Sequence, residues 1–285
     1  MSSIIGLSVV FGSLITGYLG NGGIISILLH PFEWLIIVGC GIGAFIFSTN
    51  KSIRSYAWKG VKKLSKADAY KEDTGILLLS SISSVLKFVH KSGVVELEKH
   101  LDVPATSHLF KKLLEMPSGE EVVSFFCDYM RLLVMGFDKS HDLIDLMDRH
   151  IEKKKAELYG VYSAIAKLAD AFPAIGIVAA VLGVITAMAS VGADAAVLGA
   201  RIASALVGTF AGVFLSYCVV APISNFLEKF SDYEISVFES VKSAIASHAD
   251  GNPPAISIEF ARQVLPSSMK PSFEDLEKIL QKVQI

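Results

Sequence analysis

Five side chains in one apolar stretch, Asp170 to Pro222, have the types that work inside a membrane requires: Pro173, Thr209, Ser216, Tyr217 and Pro222. Proline has no backbone donor and crowds the preceding turn, so each one frees a carbonyl and sets a helix start or a kink. The three hydroxyls add donors and acceptors to an otherwise apolar wall. A kinkable, partly polar lining of this kind suits a moving or ion-conducting site. What is missing is equally informative. The apolar spans carry no mid-membrane Asp, Glu, Lys, Arg or His, and Glu33, Asp170 and Arg201 fall at span ends. Translocation of protons or cations normally needs a charged or titratable group within the membrane. Either the chain does not conduct, or a partner helix supplies the carboxylate.

Enzymatic chemistry has no foothold. There is no Walker loop, no GxGxxG, no GxSxG and no HExxH, and the seven histidines are scattered off the spans. No metal or other cofactor is expected. Cys40, Cys127 and Cys218 are an odd number without metal-ligand spacing, and read as inert small hydrophobes. A net charge of −2 leaves no basic excess for nucleic acid.

The elements that hold these residues follow from hydropathy. The chain has 285 residues and only 19% are charged, against about 25% for a soluble domain. Two apolar runs meet at a short polar joint, Ser190 to Asp194, and each is about long enough to cross a bilayer. Pro173 starts the first run and Pro222 ends the second. Pro173, Gly176, Ala180, Gly183 and Ala187 share one helical face. Gly208 to Gly212 is a GxxxG, which permits close approach of helices in lipid. Two earlier runs, Ile4 to Leu19 and Trp34 to Phe47, read as spans as well. The first lacks the charged leader and small-residue cleavage site of a signal peptide. Pro31 and Glu33 suit the start of the second, and Trp34 sits where an interfacial aromatic belongs.

Between Asn50 and about Lys167 the pattern is polar and helical. Lys51, Arg54, Lys59, Lys62, Lys63 and Lys66 follow the second span closely. Asp142 to Leu158 reads as a solvated charged helix, and Ser272 with Asp275 caps a last one. Of the 26 Lys and Arg residues, nineteen lie between Asn50 and Ala169, six follow Pro222, and the two short joints have none. The positive-inside rule then places the large loop and the tail in the cytoplasm. The expectation is an all-α polytopic membrane protein with four transmembrane helices, a helical cytoplasmic domain and both termini cytoplasmic. Residues 1–49 hold spans one and two, 50–169 the cytoplasmic domain, 170–224 spans three and four, and 225–285 a helical cytoplasmic tail.

The segments DAFPAIGIVAAVLGV, VGTFAGVFLSYCVVAPI and PPAISIEFARQVLPSSMKPSFEDLE, with this layout, resemble the MotA family, the larger stator subunits of the bacterial flagellar motor. The resemblance covers essentially the whole chain. It implies a ring, pentameric in the family, around a dimer of a single-span, peptidoglycan-binding MotB-like partner whose aspartate carries the ion. It also implies the bacterial inner membrane, and torque applied to the rotor protein FliG. Pro173 and Pro222 match the family's functional prolines, Thr209 its ion-path threonine, and Tyr217 an aromatic near it. Sodium-driven relatives have threonine where this chain has Ala180, so the resemblance implies protons. In the rotor-facing loop Glu98 matches the family glutamate, with Glu96 beside it. His90 stands where the family has arginine, and Lys87 and Lys91 are placed to take over that charge. The alternatives are an ExbB- or TolQ-like energising subunit, which has three spans and no comparable loop, or an unrelated four-span transporter or scaffold.

Overall fold

Apolar runs at helical period give helices throughout. The computed structural model describes residues 2–63, 70–137, 139–192 and 194–282, and contains no strand among them. Lys66, one of the basic residues after the second span, lies outside the described residues. The helices are α1 (Ser2–Gly20), α2 (Ile25–Leu28), α3 (Pro31–Ser48), α4 (Lys51–Lys63), α5 (Glu72–Ser92), α6 (Val94–Asp102), α7 (Lys111–Leu114), α8 (Gly119–Val134), α9 (Ser140–Met188), α10 (Ala195–Phe214), α11 (Ala221–Ala249), α12 (Pro254–Val264) and α13 (Phe273–Lys282). A π-helical segment, Leu215–Val220, joins α10 to α11.

The chain forms two compact units. The first comprises Met1–Ala67 and Glu157–Lys229. Three stretches in helices are long and apolar enough to cross a membrane; they lie within Ile25–Ser48, α9 and Ala195–Ala249. Ile5–Gly20 is a shorter apolar helix. Their outer faces are apolar and uncovered: Leu35 is 69% exposed, Phe47 94% and Leu206 66%. Such a surface is unfavourable in water and ordinary in lipid. Inside, Ile37, Phe172, Ala179 and Ala211 form one cluster, and Ala57, Val161, Ile165 and Leu227 another. Pro31 opens α3 at its first position, and the Trp34 indole donates to the Leu28 carbonyl at 3.1 Å. Asn50 caps α4 by accepting from the Ile53 amide at 2.8 Å.

The second unit comprises Asp68–Ala156 and Phe230–Ile285. Its core is aromatic and aliphatic. Phe125 meets Phe238 edge-to-face at 5.3 Å, and Leu78, Leu79, Ile82 and Leu86 of α5 are fully buried. Gly75 lets α5 lie directly against the Met269 carbonyl, where no Cβ would fit. Buried charges are paired, as desolvation demands. Lys154 lies 3.0 Å from Glu234 and also contacts Glu121. Arg262 donates twice to Glu259 and once to the Pro271 carbonyl. Ser272 accepts from the Asp275 amide at 3.1 Å and caps α13.

Two local expectations are corrected. Pro173 does not start a helix; it sits inside the continuous 49-residue α9. A single proline removes one hydrogen bond, to the Ala169 carbonyl, and the packing of Phe172 against neighbouring helices holds the helix through it. The start of α9 is also not solvated all round. Leu143, Met147 and Ile151 recur at helical spacing and are buried in the second unit.

Candidate functional site

The small residues of α9 and α10 bring two backbones into contact. A Cβ on Gly176 would stand 2.8 Å from the Gly208 carbonyl oxygen and 3.0 Å from the Gly212 Cα. A Cβ on Gly208 would meet the Ala180 amide nitrogen at 3.0 Å, and one on Gly183 would meet the Ala205 Cα at 2.8 Å. The Gly176 and Gly183 contacts are closer than a side chain tolerates, so glycine is required there on steric grounds, and Gly208 leaves only the tightest fit. Gly41 of α3 closes the same junction, because its Cβ would fall 2.7 Å from the Phe172 ring. The Ala180 backbone thus lies against Gly208, whose chain neighbour Thr209 is half-buried, and Pro173 adjoins Phe172, whose carbonyl faces Gly212.

Pro222 and Tyr217 lie elsewhere along the pair. Pro222 is the second residue of α11, two positions beyond the π segment, and is exposed. It cannot donate to the carbonyl of Cys218, and its ring crowds that turn; the wider π register absorbs both effects. The Ala221 amide accordingly reaches back to the Ser216 carbonyl. Within that segment Ser216 is buried, while Tyr217 is 66% exposed on the outer face. The Ser224 hydroxyl donates to the Tyr162 carbonyl at 2.8 Å, which fixes Pro222 near Tyr162. Tyr162 and Pro173 are roughly 16 Å apart along α9, at about 1.5 Å per residue. The two prolines therefore occupy different levels.

A polar cluster that sequence reasoning missed lies at the far end of these helices. Glu33 is only 7% exposed. It accepts from the Ser204 hydroxyl of α10 at 2.6 Å and contacts the His30 ring. Arg201 donates to the Thr186 carbonyl at 3.1 Å, tying the two ends of the α9–α10 joint. These groups line a cavity of about 880 Å³. No local signal couples Glu33 to Ser204, since a carboxylate at a helix start reads as a dipole partner.

In the second unit, five charged positions gather where α5 ends and α6 begins. Gly93, with φ +88°, makes the turn between them. His90, Lys91, Glu96 and Glu98 are exposed. Glu96 pairs with Lys99 at 2.9 Å. Lys87 differs: it is half-buried and donates to the Leu280 carbonyl of α13 at 2.6 Å. Behind His90, the His248 Nδ1 is buried without a hydrogen-bond partner. Burial first, and His90 second, hold the His248 imidazole below the usual histidine range. On α6, burial first and His108 second lower His100, whose ring contacts the Ser107 hydroxyl at 3.0 Å. No cluster of three or more metal-ligating side chains occurs among the described residues.

Residues 4–93 match the motility protein A N-terminal family, and residues 120–240 match the MotA/TolQ/ExbB proton channel family. Motility protein A of Salmonella typhimurium is 34% identical over 284 residues, covering 100% of this chain and 96% of that protein. The same protein of Escherichia coli gives the same identity and coverage. Chemotaxis protein LafT of Vibrio parahaemolyticus is 28% identical over 280 residues, covering 98% of each. Among solved structures, a chain of Campylobacter jejuni MotAB superposes with a TM-score of 0.77 at 20% identity, over 95% of this chain and 98% of that one. A chain of the flagellar MotAB stator complex of Bacillus subtilis gives 0.65 at 20% identity, over 96% and 98%.

Proposed function

This chain belongs to the MotA family, and from that premise we propose that it is the flagellar stator subunit that couples proton flow across the inner membrane to torque on the rotor. The observation that carries the reading is 34% identity to motility protein A over the whole chain, together with apolar spans whose one buried carboxylate, Glu33, lies in the first turn of α3 and already accepts from Ser204. A MotB-like single-span partner supplies the carboxylate that carries the ion, and the likeness to MotAB complexes supports such a partner. An ExbB- or TolQ-like role is disfavoured because the match to motility protein A runs through the loop between the second and third spans. The protein is not an enzyme.

The short apolar α1 joins the three longer stretches as a fourth span, and both termini lie in the cytoplasm. Copies of the chain form a pentameric ring around a partner dimer. Thr209 and Ala180, on the two helices that touch at Gly208, border the ion path, and protons are the ion because Ala180 offers no oxygen ligand. Pro173, Tyr217 and Pro222 couple protonation of the partner to movement. Lys91, His90, Glu96 and Glu98 face FliG, with Lys87 anchoring α13 beside them.

The test is rescue of a strain that lacks its own stator. The chain is co-expressed with a single-span partner carrying an intramembrane aspartate, and swimming is followed while the proton gradient is collapsed with an uncoupler. Rotation that needs both chains and the gradient is the expected result. A complex that forms but restores no rotation would overturn the motor reading.

A further inference from the structure

A second cavity, of about 480 Å³, lies in the first unit between the end of α3, the start of α4 and α9. That volume is within the range of about 300–1,000 Å³ typical of small-ligand clefts. Its floor is apolar, built by Ala44, Phe45 and Leu168, and Lys167 and Tyr159 stand among its lining residues. Lys167 is exposed and makes no ion pair or hydrogen bond among the described residues; Asp170, one turn further along α9, does not line the groove. The hydroxyls of Ser48 and Thr49 already donate to the Phe45 carbonyl, at 3.3 and 2.5 Å. The donors left for an anion are therefore the Lys167 ammonium, the Tyr159 phenol and the Ser163 hydroxyl. A second positive charge is fixed at the same edge, since the Arg54 guanidinium donates to the Ile46 carbonyl at 3.0 Å and to that of Thr49.

The surroundings define the occupant. The neighbouring α3 surface is apolar and open, with Ile42 52%, Ile46 53% and Phe47 94% exposed. The helix then gives way to a basic segment that begins at Lys51. A ligand here must offer a hydrocarbon chain on one side and negative charge on the other. Basic pockets between membrane helices on the cytoplasmic side meet anionic head groups in this way. We propose that this groove binds one anionic phospholipid, its phosphate on Lys167 and Tyr159 and an acyl chain along Phe45 and Leu168. The inference rests on α3 and α9 crossing a membrane, and is independent of the motor role.

The test places the full-length chain, co-expressed with its partner, in nanodiscs of equal phosphatidylglycerol and phosphatidylcholine. Lipid retained after release into detergent is counted by native mass spectrometry. Phosphatidylglycerol should be retained over phosphatidylcholine by about five-fold, the effect of one lysine near an anionic surface. Lys167→Gln should clearly lower the preference, Arg54 holding what remains, Lys167→Arg should keep it, and Ala44→Trp should lower retention of both lipids by filling the groove. Equal retention by the native chain, or an unchanged preference in Lys167→Gln, overturns the proposal. So does efficient cross-linking of Ala44→Cys to a neighbouring copy, which would assign the groove to a second chain. Failure to enter nanodiscs at all would instead count against the membrane reading.

Discussion

The backbone nitrogen of Ala180 lies against Gly208, and the residue's methyl side chain offers no oxygen to the ion path proposed there. Ala180→Thr adds one hydroxyl, while sodium requires several ligands around a fitted cavity. Swimming of this variant should remain independent of external sodium, which is checked by measuring speed across a sodium titration at constant ionic strength. His248 allows a prediction in pH. Its folded pKa lies below the ordinary value of 6.5, so the unfolded chain binds the extra proton first as pH falls. Stability is therefore lost as pH drops through about 6.5 toward the lower folded value. Thermal unfolding of the native chain should shift down between about pH 7 and 5.5 more steeply than that of His248→Gln, which removes the titrating group.

At the scale of helices, the α9–α10 contact and the π segment make separate demands. Gly176→Val places branched carbons where the Gly208 carbonyl now stands, and should force the pair apart. Overpacking of this kind costs about 1–3 kcal/mol. The unfolding midpoint of the purified complex should fall, and tethered-cell torque with it, whereas Gly6→Ala, which meets nothing within 4 Å in the isolated chain, serves as the comparison. Pro222→Ala restores an amide that can donate to Cys218, so the π register of Leu215–Val220 loses its local cause. Pro173→Ala restores the bond to Ala169 within α9. Both alanine variants should still assemble with the partner in a pull-down but fail to rotate, because the adjustable turns have become regular helix. Normal torque in both would show that the prolines only accommodate packing.

At the scale of the whole molecule, torque needs a surface that another protein can push against. The charges around the α5–α6 turn are exposed, and they are the surface proposed for that contact. Exposed ion pairs contribute only about 0.2–1 kcal/mol each, so single neutral changes should be mild. Reversals turn attraction into repulsion, and Lys91→Glu and Glu98→Lys should each lower torque clearly, read by rotation of tethered cells. Full motility with Lys87, His90, Lys91, Glu96 and Glu98 all made neutral would remove the contact from consideration. Lys87 carries a second role, since its loss also removes the hydrogen bond that holds α13. A Lys87 variant with normal torque but faster proteolysis near Leu280 would assign that residue to α13 alone.

The sequence by itself determined that the chain is helical and membrane-spanning, that α9 and α10 carry small-residue faces, and that no carboxylate lies deep within a span. Hydropathy and helical period are properties of neighbouring residues, so they are readable along one strand of text. Only the tertiary structure decided which residues meet. Glu33 and Ser204 are 171 positions apart, and Lys87 and Leu280 are 193 apart. Neither pairing leaves a local trace, because a buried carboxylate or a tethered lysine depends on which helix lies opposite. The same holds for Pro173 inside an unbroken helix. Proline alone predicts a break, and the packing of Phe172 against its neighbours outweighs the single lost hydrogen bond.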